Sequence, residues 1–128
     1  MPDIWSETVP VMADFPVRVV VWAGEGQLTG VAGSWVGGLA TAAVWAPDDF
    51  GLHSNTMGLG SDCKGKTLLI NVAGARTGGG ATLTLNVLVY HLSPEAPEIP
   101  FGQTALGPRS LPFDADETAQ LDISLAFV

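Results

Sequence analysis

Charge is scarce in this chain. Lysine, arginine, aspartate and glutamate together make up 14% of it, against about 25% in a typical soluble domain. Solubility ordinarily rests on many mixed surface charges, yet 47% of the residues are hydrophobic. A chain so apolar and so poor in charge is expected to commit part of its surface to partners. Basic residues are scarcer still, with only Arg18, Lys64, Lys66, Arg76 and Arg109 set against 13 carboxylates for a net charge of −8. Nucleic-acid binding needs clustered Lys and Arg to displace counterions from phosphates. Here only the two lysines lie close together. DNA, RNA and anionic membrane surfaces are therefore not expected partners.

Cysteine is nearly absent. Cys63 stands alone, so no intrachain disulfide and no cysteine zinc cluster can form. That composition is compatible with assembly in a reducing cytoplasm. No apolar run approaches the length of about 18 residues that a membrane-spanning helix needs. The first fourteen residues hold Asp3, Glu7 and Asp14 but no Lys or Arg, the reverse of a secretory or transit peptide. At 128 residues the chain fits one domain, and burying roughly two-thirds of its unfolded surface gives an ordinary core without staples.

Glycine and proline divide the chain. Fourteen of the 16 glycines fall between Gly24 and Gly80, and five of the nine prolines between Pro94 and Pro112. Residues 1–16 contain Pro2, Pro10 and Pro16, too many for a helix, yet carry Ile4, Trp5, Val9, Val11 and Phe15. This reads as an extended arm docked on its own domain or on a neighbour, with a first strand as the alternative. Residues 17–23 are β-branched and aromatic, and Gly24 ends them, which predicts a strand. Further strands are expected over 39–46, 67–73 and 81–91, the last with the cleanest period-two alternation, and over the C-terminal 120–127. Residues 93–118 look like a long, Pro-rich, acidic loop, of a length that is usually functional. The expected architecture is all-β: a single-domain β-sandwich or jelly roll over 17–128, with an N-terminal arm over 1–16 and the loop before the last strand.

Motifs for chemistry are few. Gly60-Ser61-Asp62-Cys63-Lys64-Gly65-Lys66-Thr67 matches the phosphate-loop pattern G-x-x-x-x-G-K-[ST]. That loop needs a strand before it and a helix after it. His53-Ser54-Asn55-Thr56-Met57 is too polar for a buried strand, and Leu68 to Ala73 is a strand-like run stopped by Gly74. Asp62 would also repel phosphate. The match is read as a turn followed by a strand. His53 and His91 are the only imidazoles, with no serine in a nucleophile elbow, and nothing in the sequence brings His53 to Cys63. Asp48-Asp49 and Asp114-Ala115-Asp116-Glu117 lack the spacing of a calcium loop. No enzyme activity, cofactor or metal is expected. Trp22, Trp35 and Trp45, with Asp48, Asp49 and Asn55, would make a sugar platform if their rings were exposed, although tryptophans in a sandwich more often sit in cores or interfaces.

Gly33-Ser34-Trp35-Val36-Gly37-Gly38, a strand to Ala46 and the turn Pro47-Asp48-Asp49 together resemble a pattern of small tailed-phage virion proteins. The resemblance covers residues 17–91. It implies a structural role as capsid decoration or cement, or as a tail accessory part; the Pro-rich 93–118 segment departs from the pattern. The expectation is a virion protein of the outer surface, assembled in the host cytoplasm. It would form homo-oligomers, with trimers favoured, and bind the major capsid protein or another virion protein. Ile4, Trp5, Phe15, Phe101 and Phe113 are the expected contact residues. A carbohydrate- or receptor-binding module of a fibre or adhesin, using the three tryptophans, is the second reading.

Overall fold

The computed structural model describes residues 3–38, 42–93, 95 and 100–128. In chain order the elements are β1 (Asp3–Val9), β2 (Pro16–Glu25), β3 (Gln27–Trp35), β4 (Ala43–Val44), β5 (His53–Leu59), the single turn α1 (Gly60–Cys63), β6 (Thr67–Ala75), β7 (Thr82–Leu92), β8 (Pro100–Pro112) and β9 (Thr118–Phe127). They form a five-stranded sheet in the order β1-β9-β6-β3-β4 and a four-stranded sheet in the order β5-β2-β7-β8. The two sheets pack face to face as an all-β sandwich.

Alternation places the core. Side chains along a strand point to opposite faces, and in β7 the residues Leu83, Leu85, Val87 and Val89 are buried while their neighbours are half-buried. Val17, Val19 and Val21 of β2 meet them from the same sheet. Leu68, Ile70 and Val72 of β6 and Leu121, Ile123, Leu125 and Phe127 of β9 face them from the other. Each such side chain contributes about 1.5–3 kcal/mol on burial. The sheets approach closely where Gly74 of β6 lies under Leu83 of β7: a Cβ on Gly74 would stand 2.6 Å from a Leu83 methyl.

Three segments differ from the sequence expectation. The N-terminal arm is a strand of the domain itself. β1 runs parallel to β9, from Asp3 opposite Leu121 to Val9 opposite Phe127, and sends Trp5 and Val9 into the core. Its prolines flank the strand instead of breaking it. Second, half of the expected 93–118 loop is β8, an edge strand antiparallel to β7 with register shifts at two points. Proline is tolerated there because an edge strand needs partners on one side only. The remainder of that loop lies partly outside the described residues. Third, the strand expected over 39–46 is reduced to Ala43–Val44, with residues 39–41 outside the described set; the longer strand of that region is β3, hidden in the sequence by Gly30 and Gly33.

The end of the sandwich away from the β2–β3 turn is tied by backbone bonds. Val11 donates to the carbonyl of Val128, Val128 donates to Val9, and Gly60 donates to Phe15. His91 completes this clasp. Its Nε2 accepts the Met12 N–H at 2.9 Å, leaving Nδ1 to donate toward the Gly102 carbonyl at 3.4 Å.

Candidate functional site

The outer face of the five-stranded sheet follows from what the inner face buries. With Trp5, Val72, Leu121 and Ile123 turned inward, alternation turns outward Ile4, Ser6 and Thr8 of β1 and Gln120, Asp122, Ser124 and Ala126 of β9. Leu69, Asn71 and Ala73 of β6, Gly30 and Ala32 of β3, and Val44 of β4 share this face with them. The only formal charge among these residues is Asp122, whose carboxylate accepts a hydrogen bond from Asn71 Nδ2 at 2.8 Å. Small side chains at Gly30, Ala32 and Ala73 leave a shallow depression of about 390 Å³, bordered by Val44, Asn71 and Asp122. Ile4 at one margin is 56% exposed and Val44 at the other is 81% exposed. Strand spacing and rise give this face roughly 600 Å², close to the ~800 Å² each partner contributes to a standard protein interface.

Charge collects elsewhere. Around the β2–β3 turn lie Glu25, Asp48, Asp49, Asp114, Asp116 and Glu117. Arg76 stands beside them, in a 3.6 Å pair with Glu117 that contributes at most about 1 kcal/mol at such exposure. Asp114 organises the β8–β9 turn. The N–H of Thr118 beside its carboxylate holds the group below the usual aspartate range, helped by the Thr118 hydroxyl and the Asp116 N–H against a smaller opposing effect of desolvation. Lys64 and Lys66 stand at the opposite end, with Lys66 Nζ 5.7 Å above the Trp35 ring.

The expected contact residues do not gather in one place. Ile4 is exposed on the outer face. Trp5 is 3% exposed, packed over Gly107 of β8, with its Nε1 donating to Glu7. Phe15 is half-buried, edge-on to His91 at 6.3 Å. Phe113 is half-buried beneath the Arg76 guanidinium, 5.5 Å from it. The side chain of Phe101 lies outside the described residues. The tryptophans also separate. Trp45 is 3% exposed and lies against Gly33, where a Cβ would come within 2.6 Å of the indole. Trp35 is half-buried, T-shaped on Phe127 at 5.9 Å. Only Trp22 opens onto a cleft that it shares with Asp48.

The reactive side chains are used structurally. Both nitrogens of His91 belong to the clasp. Cys63 is buried, its Sγ directed at the Met57 carbonyl, and burial pushes its thiol pKa up, opposed by Lys66 and reinforced by Asp62. The phosphate-loop match folds as one turn of helix followed by strand β6, so no helix N-terminus faces a phosphate there. The segment before it, too polar to read as a buried strand, is the edge strand β5. Among the described residues no three His, Cys, Asp or Glu side chains gather to hold a metal ion, and no helix is long and apolar enough to cross a membrane. Comparison with family models, curated proteins and solved structures finds no match to this chain.

Sequence reasoning passed over Val44, Ala32 and Ala73. Small residues carry no individual signal. The readable signal was collective: the solvent-side positions of β6 and β9 hold alanine, serine and amides where most outward faces hold lysine and glutamate.

Proposed function

We propose that this chain is a non-enzymatic structural subunit of a virion, a decoration or cement protein of a phage head. It works through the outer face of its five-stranded sheet, by which it binds copies of itself, as trimers, and the major capsid protein. One observation carries the reading: that face, broad enough for an interface, holds one formal charge among its described residues and has exposed Ile4 and Val44 at its margins. Desolvating such a surface sacrifices few charge–water contacts, so apolar burial at about 25 cal/mol per Å² is set mainly against the entropy of association. The cluster of acids around the β2–β3 turn supports an outer location, because that end would be repelled by packaged nucleic acid. The resemblance in residues 33–49 supports the virion assignment. Its first glycine acquires a reason in the fold: Gly33 makes room for Trp45.

Sedimentation velocity of the purified chain, alone and mixed with undecorated heads of a candidate phage, tests the proposal. A trimer mass and saturable co-sedimentation with the shells are expected. A chain that stays monomeric at every concentration and leaves the shells bare overturns it.

A further inference from the structure

Phe50 is 87% exposed, more than any other large hydrophobic side chain among the described residues. The loop that carries it, 47–52, is tied from within. Pro47 bridges His53 at its base. Asp48 Oδ1 accepts the N–H of Phe50 at 2.8 Å and of Leu52 at 3.0 Å. The Asp48 N–H donates to the Leu52 carbonyl, and the Asp48 carbonyl accepts the Gly51 N–H at 3.1 Å. Gly51 makes the turn at φ 78°, a conformation that other residues rarely hold. A large ring on a loop with so little freedom left to lose is suited to docking, because association then costs little further ordering.

A receiving surface lies elsewhere on the same chain. The depression of about 390 Å³ in the outer face of the five-stranded sheet is lined mostly by Gly30, Val31, Ala32, Val44, Val72 and Ala73. Phe50 is not among its walls and borders a different cleft, beside Trp22 and Leu28, so the chain does not fill its own depression. A Cβ on Gly30 would meet nothing within 4 Å. A cavity of about 150 Å³ already admits benzene, so a phenyl ring has room. Two such faces of roughly 600 Å² laid on each other would bury about 1,200 Å², the low end for a specific interface, and would leave both depressions empty between them. An inserted aromatic side chain fills one and adds about 150–250 Å². A cyclic trimer has no two-fold axis, so its repeated contact joins two different surfaces of each copy. The projecting ring and the depression supply two. Asp48 and Asp49 flank the ring, but the face it would meet holds one formal charge among its described residues, Asp122, so little repulsion opposes the contact.

We infer that Phe50 of one copy inserts into the Gly30–Ala32–Ala73 depression of the next, head to tail around a closed ring. The inference rests on the assembly reading and adds to it the second surface, the loop 47–52, that a ring requires.

Sedimentation equilibrium of two variants, separately and mixed, tests this. Phe50→Ala removes the ring and keeps every backbone bond of the loop. It should weaken self-association about thirtyfold while the circular dichroism spectrum stays that of the parent. Ala73→Arg blocks the depression and should weaken association from the other side. Mixed one to one, the two variants should associate again, and stop at a dimer. The Ala73→Arg copy supplies the ring, the Phe50→Ala copy supplies the depression, and neither can extend the pair. A Phe50→Ala chain with the parent's trimer mass and affinity overturns the inference and leaves the assembly reading standing. A mixture that associates no better than its separate components also overturns it. A monomeric parent overturns the inference as well, and takes the assembly reading with it only if the phage shells also stay bare.

Discussion

The two outer faces of the sandwich are built from similar residues and finished differently. On the four-stranded sheet the polar groups bond one another. Arg18 donates to Ser54 Oγ at 2.6 Å and to Thr56 Oγ1 at 2.9 Å, Thr84 and Ser110 share a hydroxyl bond at 2.8 Å, and Thr82 donates to Glu25. On the outer face of the five-stranded sheet the described side chains make a single such bond, Asn71 to Asp122. The first face has its lateral bonding completed within the chain. The second holds small, weakly polar groups with little to bond among themselves, and flatness with low charge is what association requires. Composition alone could not separate them, because serine, threonine and asparagine occur on both.

The largest expected effect breaks the comparison directly. Ala73→Arg puts a cation in the centre of the five-stranded face and should weaken self-association roughly a hundredfold, on the order of 3 kcal/mol. Gln103→Arg, exposed on β8 of the other sheet, should leave it unchanged; sedimentation equilibrium reads both. The next residue along β6 sharpens the contrast. Gly74→Ala points inward at Leu83 and should cost about 2 kcal/mol of stability in urea unfolding, whereas Ala73→Arg stays within about 0.5 kcal/mol. Smaller again is Arg18→Ala, which removes bonds from the self-satisfied face and should cost about 0.5–1 kcal/mol with no change in oligomer mass. The smallest effect concerns Asp114. Its depressed pKa makes its contribution to stability present above the ordinary aspartate range and lost as pH falls through the folded-state value. An NMR titration should place its midpoint below that of an unstructured aspartate, and Asp114→Ala should abolish this acid dependence in the β8–β9 turn.

What was legible in the sequence is what binary pattern encodes. β2, β6, β7 and β9 alternate or run apolar between turn residues, and each appears where the pattern placed it, because a buried inner face demands period two. β3, β5 and β8 were not legible as strands, and β1 only as the alternative to an arm. β1 sits between prolines and carries Asp3 and Glu7 on the core-facing side at its more exposed positions. β3 contains glycines that exist for close packing, Gly33 under Trp45 above all. β5 is an edge whose polar residues pair with Arg18. β8 interrupts its own period twice. Edge strands have half the partners of central ones, and their patterns are correspondingly diluted. Of the site, Ile4 was named in advance and stands on the proposed face. Trp5 looked equally available and is core, because sequence does not show which side of a first strand is covered. Removing residues 1–14, which as an arm would have tested assembly alone, would take Trp5, Val9 and Val11 out of the core and test folding instead.

The parallel partnership of β1 with β9 sets an order of events during translation. β1 precedes the other described strands in the chain, its one neighbour among them within the sheet is β9, and over a hundred residues separate their paired positions. Until the stretch from Thr118 to Phe127 has left the ribosome, Trp5 and Val9 have no strand to dock on, and β6 lacks one of its two neighbours. Contacts this distant in sequence close late and slowly. On a polysome, where identical nascent chains emerge side by side, that delay leaves the strand free to find the wrong copy's sheet. Ribosome spacing and chaperone supply therefore bear on the yield of this fold more heavily than on a sandwich whose first strands pair locally.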